Sequence, residues 1–192
     1  DGTEAGTMLV KEIQPGSDGS TPRDLTSFNG ILYFRADDGS SGEELWKSDG
    51  TEAGTVMVKD INAGAGDSFP DYLTPFNGSL YFRARDNING IELWKTDGTA
   101  AGTILVKDIV PGVVGGNPAP LININGTLFF TVHDSSAGTE LWKSDGTAAG
   151  TVMVKDIQPG SGSSSPSDLT NVNGTLYFKA DDGNSGYELW KS

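Results

Sequence analysis

"ELWKSDGTAAGT" occupies residues 140–151, and near copies stand at 44–55 (ELWKSDGTEAGT) and 92–103 (ELWKTDGTAAGT). The turn that follows the Trp recurs as DGTxAGT opening at Asp1, Asp49, Asp97 and Asp145, a constant step of 48 residues. Four such units fill all 192 residues with no insertion or deletion, and each holds one Trp: Trp46, Trp94, Trp142 and Trp190. A strict period of 20–50 residues is the mark of a stacked or radial repeat architecture.

Working outward from the turn, each unit reads as four short strands. In the last unit these are TVMVKDI (151–157), LTNVN (169–173), TLYFKA (175–180) and YELWKS (187–192), rich in β-branched and aromatic residues. Asn-Gly separates the second strand from the third at 29–30, 77–78, 125–126 and 173–174, the dipeptide best suited to a tight hairpin. No segment has helical spacing, because Gly and Ser interrupt every candidate. Four antiparallel strands per unit predict an all-β fold, a β-propeller of four blades, rather than a parallel β-solenoid.

The dense turn satisfies itself. Asp145 is placed to accept from N–H groups just ahead of it, Gly146 and Gly150 permit left-handed backbone, and Thr147 and Thr151 supply hydroxyls. Trp46 and its three copies read as core, since both faces of a blade pack on neighbours and Trp has a large burial term. The same holds for Phe34, Phe82, Phe130 and Phe178, which share a strand face with Leu32, Leu80, Leu128 and Leu176.

Composition narrows the function classes. The chain has no Cys, which excludes disulfides and thiolate chemistry. Thirteen basic against 26 acidic residues leave a net charge of −13, which argues against nucleic acid and anionic membrane as partners. No apolar run approaches the ~20 residues of a membrane-spanning helix.

Two resemblances follow from these motifs. The turn is similar to the Asp-box turn of sialidase-like propellers, although here the Trp precedes the turn. The whole unit, through ELWKSDGT, ELWKTDGT and the following AGT, resembles the ELWxxDGT repeat of large bacterial surface or secreted proteins. That resemblance implies an exported, propeller-like, non-enzymatic array, secreted or held at the cell surface.

The units differ mainly in two sets of loops expected on one rim. One set joins successive blades: QPGSDGSTPRD, NAGAGDSFPDY, VPGVVGGNPAP and QPGSGSSSPSD. The other is DDGSSGEE, RDNINGIE, HDSSAGTE and DDGNSGYE. Loops on a rigid scaffold are where binding concentrates. Asp38, Asp86, Asp134, Asp182, Arg85, His133 and Tyr187 are therefore the candidate ligand-binding residues. A recurring pair, Asp38/Glu44, Asp86/Glu92, Asp134/Glu140 and Asp182/Glu188, is the candidate metal set, with calcium the cation such oxygen donors would take, although no cofactor is required. The competing assignment has each Asp capping its own loop and each Glu pairing with a lysine such as Lys11 or Lys47. His133 stands alone with no Ser or Cys partner, so no catalytic residue is expected.

The expectation is one repeat domain over 1–192, with blades at 14–61, 62–109, 110–157, and 158–192 completed by 1–13 as an outer closing strand. A ring shared between two chains is the alternative to a closed monomer. The expected function is non-enzymatic: an extracellular adhesive or structural scaffold binding a glycan or protein on the variable rim. The alternatives are a spacer without ligand, or a sialidase-like hydrolase. The hydrolase lacks an evident basic triad, since the arginines are Arg23, Arg35, Arg83 and Arg85.

Overall fold

The computed structural model describes residues 2–192 of the chain; Asp1, the opening of the first turn, lies outside them. All elements are strands. β1 (Arg23–Phe28), β2 (Ile31–Asp37), β3 (Glu43–Ser48) and β4 (Val56–Lys59) form sheet one. β5 (Asp71–Phe76), β6 (Ser79–Asp86), β7 (Gly90–Thr96) and β8 (Ile104–Lys107) form sheet two. β9 (Ala119–Ile124), β10 (Thr127–Asp134), β11 (Gly138–Ser144) and β12 (Val152–Lys155) form sheet three. β13 (Ser167–Val172), β14 (Thr175–Asp181) and β15 (Tyr187–Lys191) form sheet four. Every pairing is antiparallel between consecutive strands, and successive sheets meet through their first strands, β1 to β5 to β9 to β13.

The hairpins form where Asn-Gly stands. Asn29, Asn77, Asn125 and Asn173 take φ of 46–51°, and the glycines after them 74–85°. Both central residues of a tight right-twisting hairpin need this left-handed backbone. Each first strand also carries a bulge near its start, between Arg23 and Thr26 in β1 and between Asp71 and Thr74 in β5. Asp24, Tyr72 and Asp168 occupy it with φ of 56–57°. Bulges re-aim a side chain and recur beside functional clefts.

The core lies between sheets. Leu45, Tyr33 and Val58 of sheet one pack on Leu80, Phe82 and Trp94 of sheet two. The equivalent layer joins sheets two and three through Leu93, Val106, Phe130 and Trp142. Trp46, Trp94 and Trp142 are 6–8% exposed, so the tryptophans are core side chains. A lysine from the fourth strand of each complete sheet lies over the Trp of the next: Lys59 on Trp94, Lys107 on Trp142 and Lys155 on Trp190, at 5.3–5.9 Å. Lys59 and Lys107 also donate to the carbonyls of Thr103 and Thr151, at 2.8 and 2.7 Å.

One expectation needs correcting. Residues 2–13 form no strand, and sheet four has three strands, with β15 paired to β14 alone. The segment lies instead against sheet one, where Lys11 donates to the Thr55 carbonyl at 2.7 Å. The reason is local: that contact is the same one Lys59 and Lys107 make within the chain, so the segment is satisfied where it stands.

Candidate functional site

The recurrent turn is closed on itself by its own side chains. In the third copy the Asp145 carboxylate accepts from the Thr147 N–H and hydroxyl, at 2.8 and 2.7 Å. The Gly150 N–H donates to the Thr147 hydroxyl at 2.9 Å, and Thr151 returns its hydroxyl to the Thr147 carbonyl at 2.7 Å. Those hydroxyl bonds hold the Asp49, Asp97 and Asp145 carboxyls below their ordinary range. Gly146 is left-handed as expected, with φ 92°. Gly150 is not; it is required because a Cβ there would run into the Asp145 carboxylate. The previous sheet grips each turn: Lys47 donates to the Gly98 carbonyl at 2.8 Å and Lys95 to that of Gly146 at 3.0 Å.

The acidic pairs of the variable rim are not metal ligands in common; each member has a different job. Asp38 accepts from the N–H groups of Ser40 and Ser41 at 2.8 and 2.7 Å; partial burial works against its charge, but these bonds prevail and its carboxyl lies below the usual range. Asp86, Asp134 and Asp182 close their loops in the same way, through the N–H groups of Ile88, Ser136 and Asn184. Glu44, Glu92 and Glu140 turn inward and are fully buried. Glu44 accepts from Ile61 N–H at 3.0 Å and from the Ser68 hydroxyl at 2.6 Å, both in the connection to sheet two. Glu92 holds Val110 and Gly116, and Glu140 holds Ile157 and Ser164, in the same manner. Burial pushes Glu44 and Glu92 up to about 7 against these hydrogen bonds. Glu188, with no following connection over it, is exposed. The Asp half of the capping assignment holds; the Glu half does not, since Lys11 and Lys47 bond to backbone carbonyls instead. Among the described residues no three His, Asp or Glu converge as a metal site.

Arg85, His133 and Tyr187 stand at hairpin ends in three different sheets and are all exposed. His133 Nδ1 lies 3.1 Å from the Thr139 hydroxyl, and Tyr187 lies under the Lys179 ammonium at 4.8 Å. The side-chain contacts of His133 and Tyr187 stay within their own sheets, while the N–H groups of Arg85 and His133 donate to the Ser68 and Gly116 carbonyls in the preceding connections.

The concave polar feature lies elsewhere, where the first strands of sheets one and two meet. A cavity of about 390 Å³ is lined by Asp24, Leu25 and Thr26 of β1 and by Asp71, Tyr72 and Leu73 of β5. Asp71 sits between two guanidinium groups. Arg35 Nη1 reaches it at 3.0 Å, and Arg83 Nη2 makes a second, short ion pair. Arg35 Nε also pairs with Glu43 at 3.0 Å and stands 3.8 Å from Asp24; Arg83 Nη1 donates to Asn117 at 2.9 Å. The Tyr72 ring stacks under Arg83 at 5.0 Å. Burial and the neighbouring Asp71 carboxyl outweigh Arg35 and Arg23 and hold the Asp24 carboxyl above its usual range.

Sequence reasoning placed the site on the rim and missed this groove. Two signals for it were present. The residues at the bulge change from unit to unit: Arg23-Asp24, Asp71-Tyr72, Ala119-Pro120, Ser167-Asp168. Arg35 and Arg83 recur at one unit position, where the other units carry Thr131 and Lys179.

No family model matches the chain, and no curated protein does. Solved structures align with it at low similarity. A structure from a study of two prolyl endopeptidases aligns with TM-score 0.48 and 11% identity, over 87% of this chain and 24% of that one. A thermostable family-43 glycoside hydrolase gives 0.43 and 11%, over 90% and 67%. The GH43 endo-arabinanase from Bacillus licheniformis gives 0.34 and 16%, over 89% and 71%. The chain thus spans about a quarter of the first of these. The three are described as enzymes and none as an adhesin, which runs against the expected non-enzymatic adhesive scaffold. The acidic residues of the expected rim site act as loop caps and inter-sheet ties, while this cavity lies between the first strands β1 and β5.

Proposed function

We propose that the four sheets are blades of a β-propeller and that the Asp24–Asp71 groove is an acid-assisted hydrolytic site for a neutral, polyhydroxylated substrate. The observation that carries this is the carboxyl pair of Asp24 and Asp71 in an open cavity, with Asp24 shifted above the ordinary carboxylate range by burial and by Asp71. Titratable pairs pushed apart by their surroundings are how acid and base roles become separated. Asp24 is the proton donor. Asp71, pinned by Arg35 and Arg83, is a positioning residue whose fixed charge keeps that proton on Asp24. Leu25 and the Tyr72 ring offer apolar surface for the face of a sugar ring, and Thr26 a hydroxyl for its edge.

For an acetal substrate the step balances simply. The proton of Asp24 passes to the departing oxygen as the C–O bond breaks. Water then adds its oxygen to the carbon and returns a proton to the Asp24 carboxylate. The substrate is neutral because the chain carries −13 and the arginines near the groove are already paired to Asp71 and Glu43.

The test is hydrolysis of a panel of nitrophenyl glycosides from about pH 3 to about pH 8. Cleavage is expected on the acid side, falling as pH rises and Asp24 loses its proton. Asp24→Asn should remove ~100-fold or more of the rate. Asp71→Asn should move the fall to lower pH, because the charge that raises Asp24 is gone. Absence of cleavage across the panel, or full activity in Asp24→Asn, would overturn the proposal.

A further inference from the structure

The contact between neighbouring sheets is seen inside the chain three times, and its two halves are left uncovered at the two ends. At the tail, Leu189 is 76% exposed, whereas Leu141, Leu93 and Leu45, one, two and three repeats earlier, are 0–1% exposed. Glu188 is likewise exposed where Glu44, Glu92 and Glu140 are buried. At the head, Leu32 is 36% exposed against 0–1% for Leu80, Leu128 and Leu176. Beside it an apolar cavity of about 350 Å³ is walled by Leu9, Val10, Ile13, Leu25, Leu32 and Phe34. Sheets one and two show what fills such a cavity: Leu45 and Tyr33 of the preceding sheet, against Leu80 and Phe82. The residues at those positions in the tail sheet are Leu189 and Tyr177.

The chain also carries a segment of the type that would complete the tail sheet. In each complete sheet the edge of the Trp strand is covered by a short strand of one type: VMVK at 56–59, ILVK at 104–107, VMVK at 152–155. A fourth sequence of this type, Met8-Leu9-Val10-Lys11, belongs to no sheet; Met8 and Leu9 are 74% and 78% exposed. Lys11 nevertheless holds Thr55 as Lys59 holds Thr103 and Lys107 holds Thr151. The segment is thus already seated on sheet one as an outer strand, and lacks only the sheet it belongs to. β15 is the one Trp strand whose edge lacks such a strand.

We propose that this chain associates head to tail with a second copy of itself, residues 8–11 of one copy completing the sheet of β13, β14 and β15 of the other. Unpaired strand edges beside apolar surface are the natural template for such addition. The register follows from the complete sheets, where Lys47 faces Val56, Lys95 faces Ile104 and Lys143 faces Val152. Lys191 of one copy then faces Met8 of the other, and Trp190 faces Leu9, as Trp46 faces Met57. Leu189 enters the head cavity. Because the contact joins two different surfaces, it repeats from copy to copy until a ring closes. The proposal rests on pairings inside the chain and not on the groove chemistry, and its readout is mass, not turnover.

The chain has no cysteine, so an introduced pair reports only itself. Met8→Cys with Lys191→Cys in one chain, oxidised mildly, should give covalent multiples of the 20.1 kDa chain on a non-reducing gel, since facing strand residues lie within disulfide reach. A monomer-sized product with an internal disulfide would show that the strand returns to its own chain and would overturn the proposal, as would the absence of any disulfide. In light scattering the unaltered chain should have the mass of two or more copies. Leu9→Lys, at an exposed position that the single copy does not need for folding, should weaken association at least tenfold. A monomer at tens of micromolar for the unaltered sequence, or an unchanged mass for Leu9→Lys, would equally overturn it.

Discussion

Glu44 shows how one residue ties two units together. Its carboxylate leaves sheet one, enters the connection to sheet two and takes that loop's N–H and hydroxyl donors. Burial raises Glu44 and Glu92 from an ordinary 4.5 to about 7, so the folded chain holds these protons more tightly than the unfolded one. Their contribution to stability is fully present below about pH 4.5 and is lost as pH rises through about 7. Asp38, Asp134 and Asp182 are lowered and act oppositely, adding stability that is lost as pH falls below their ordinary 3.8. Thermal melts should therefore show a maximum on the acid side of neutrality and a decline towards neutral pH. Glu44→Gln should flatten that decline and cost ~1–3 kcal/mol on its acid side, because the amide cannot accept from all of these donors. A pH profile parallel to that of the unaltered chain would contradict the assignment. Trp142→Ala, which empties a core position between sheets two and three, should cost ~3–5 kcal/mol in denaturant unfolding.

At the scale of elements, the strands and hairpins were legible because their signals are local. TLYFKA at 175–180 becomes β14, Thr175–Asp181, and YELWKS becomes β15, Tyr187–Lys191. The Asn-Gly hairpins and the Asp145 turn have the backbone those residues require. What could not be read is what passes between elements. The bulge at Asp24 and Tyr72, in the pairing of each first strand with the second, has no common residue type to announce it. The inward turn of Glu44 was hidden because a Glu after a Gly-rich loop looks like a surface residue until the next connection is laid over it. The turn itself offers a clean prediction. Gly150→Ala puts a methyl against the Asp145 carboxylate and should destabilise by more than ~1 kcal/mol, although φ there is ordinary. Replacement at Gly64, left-handed but with open space around the added carbon, should cost only ~1 kcal/mol. Equal losses in chemical denaturation would mean that close approach is not what fixes Gly150.

For the whole molecule, the constant 48-residue step gave the number of sheets, but not how the ends are completed. The repeats present near-identical contacts and so cannot say whether the last one meets the first. The groove was hard to foresee for the opposite reason: it depends on Asp71, Arg35 and Arg83, which come together across two units where the repeat is broken. Trp190 is the least enclosed indole, packed at the edge of its cluster and donating its N–H to Ala180. Trp190→Phe in the single copy should shift fluorescence emission to shorter wavelength, whereas Trp94→Phe should not.

The lysine and buried-glutamate ties between sheets point the same way along the chain. Lys59 and Glu44 reach forward into sheet two, and Lys107 and Glu92 reach forward into sheet three. Each module is thus latched by the one behind it and latches the one ahead, which makes the domain vectorial. Within one copy the last module is latched while its own Glu188 is exposed. In the single copy, protection against amide exchange should consequently fade from front to back, with β13 to β15 opening first while β5 to β8 stay closed.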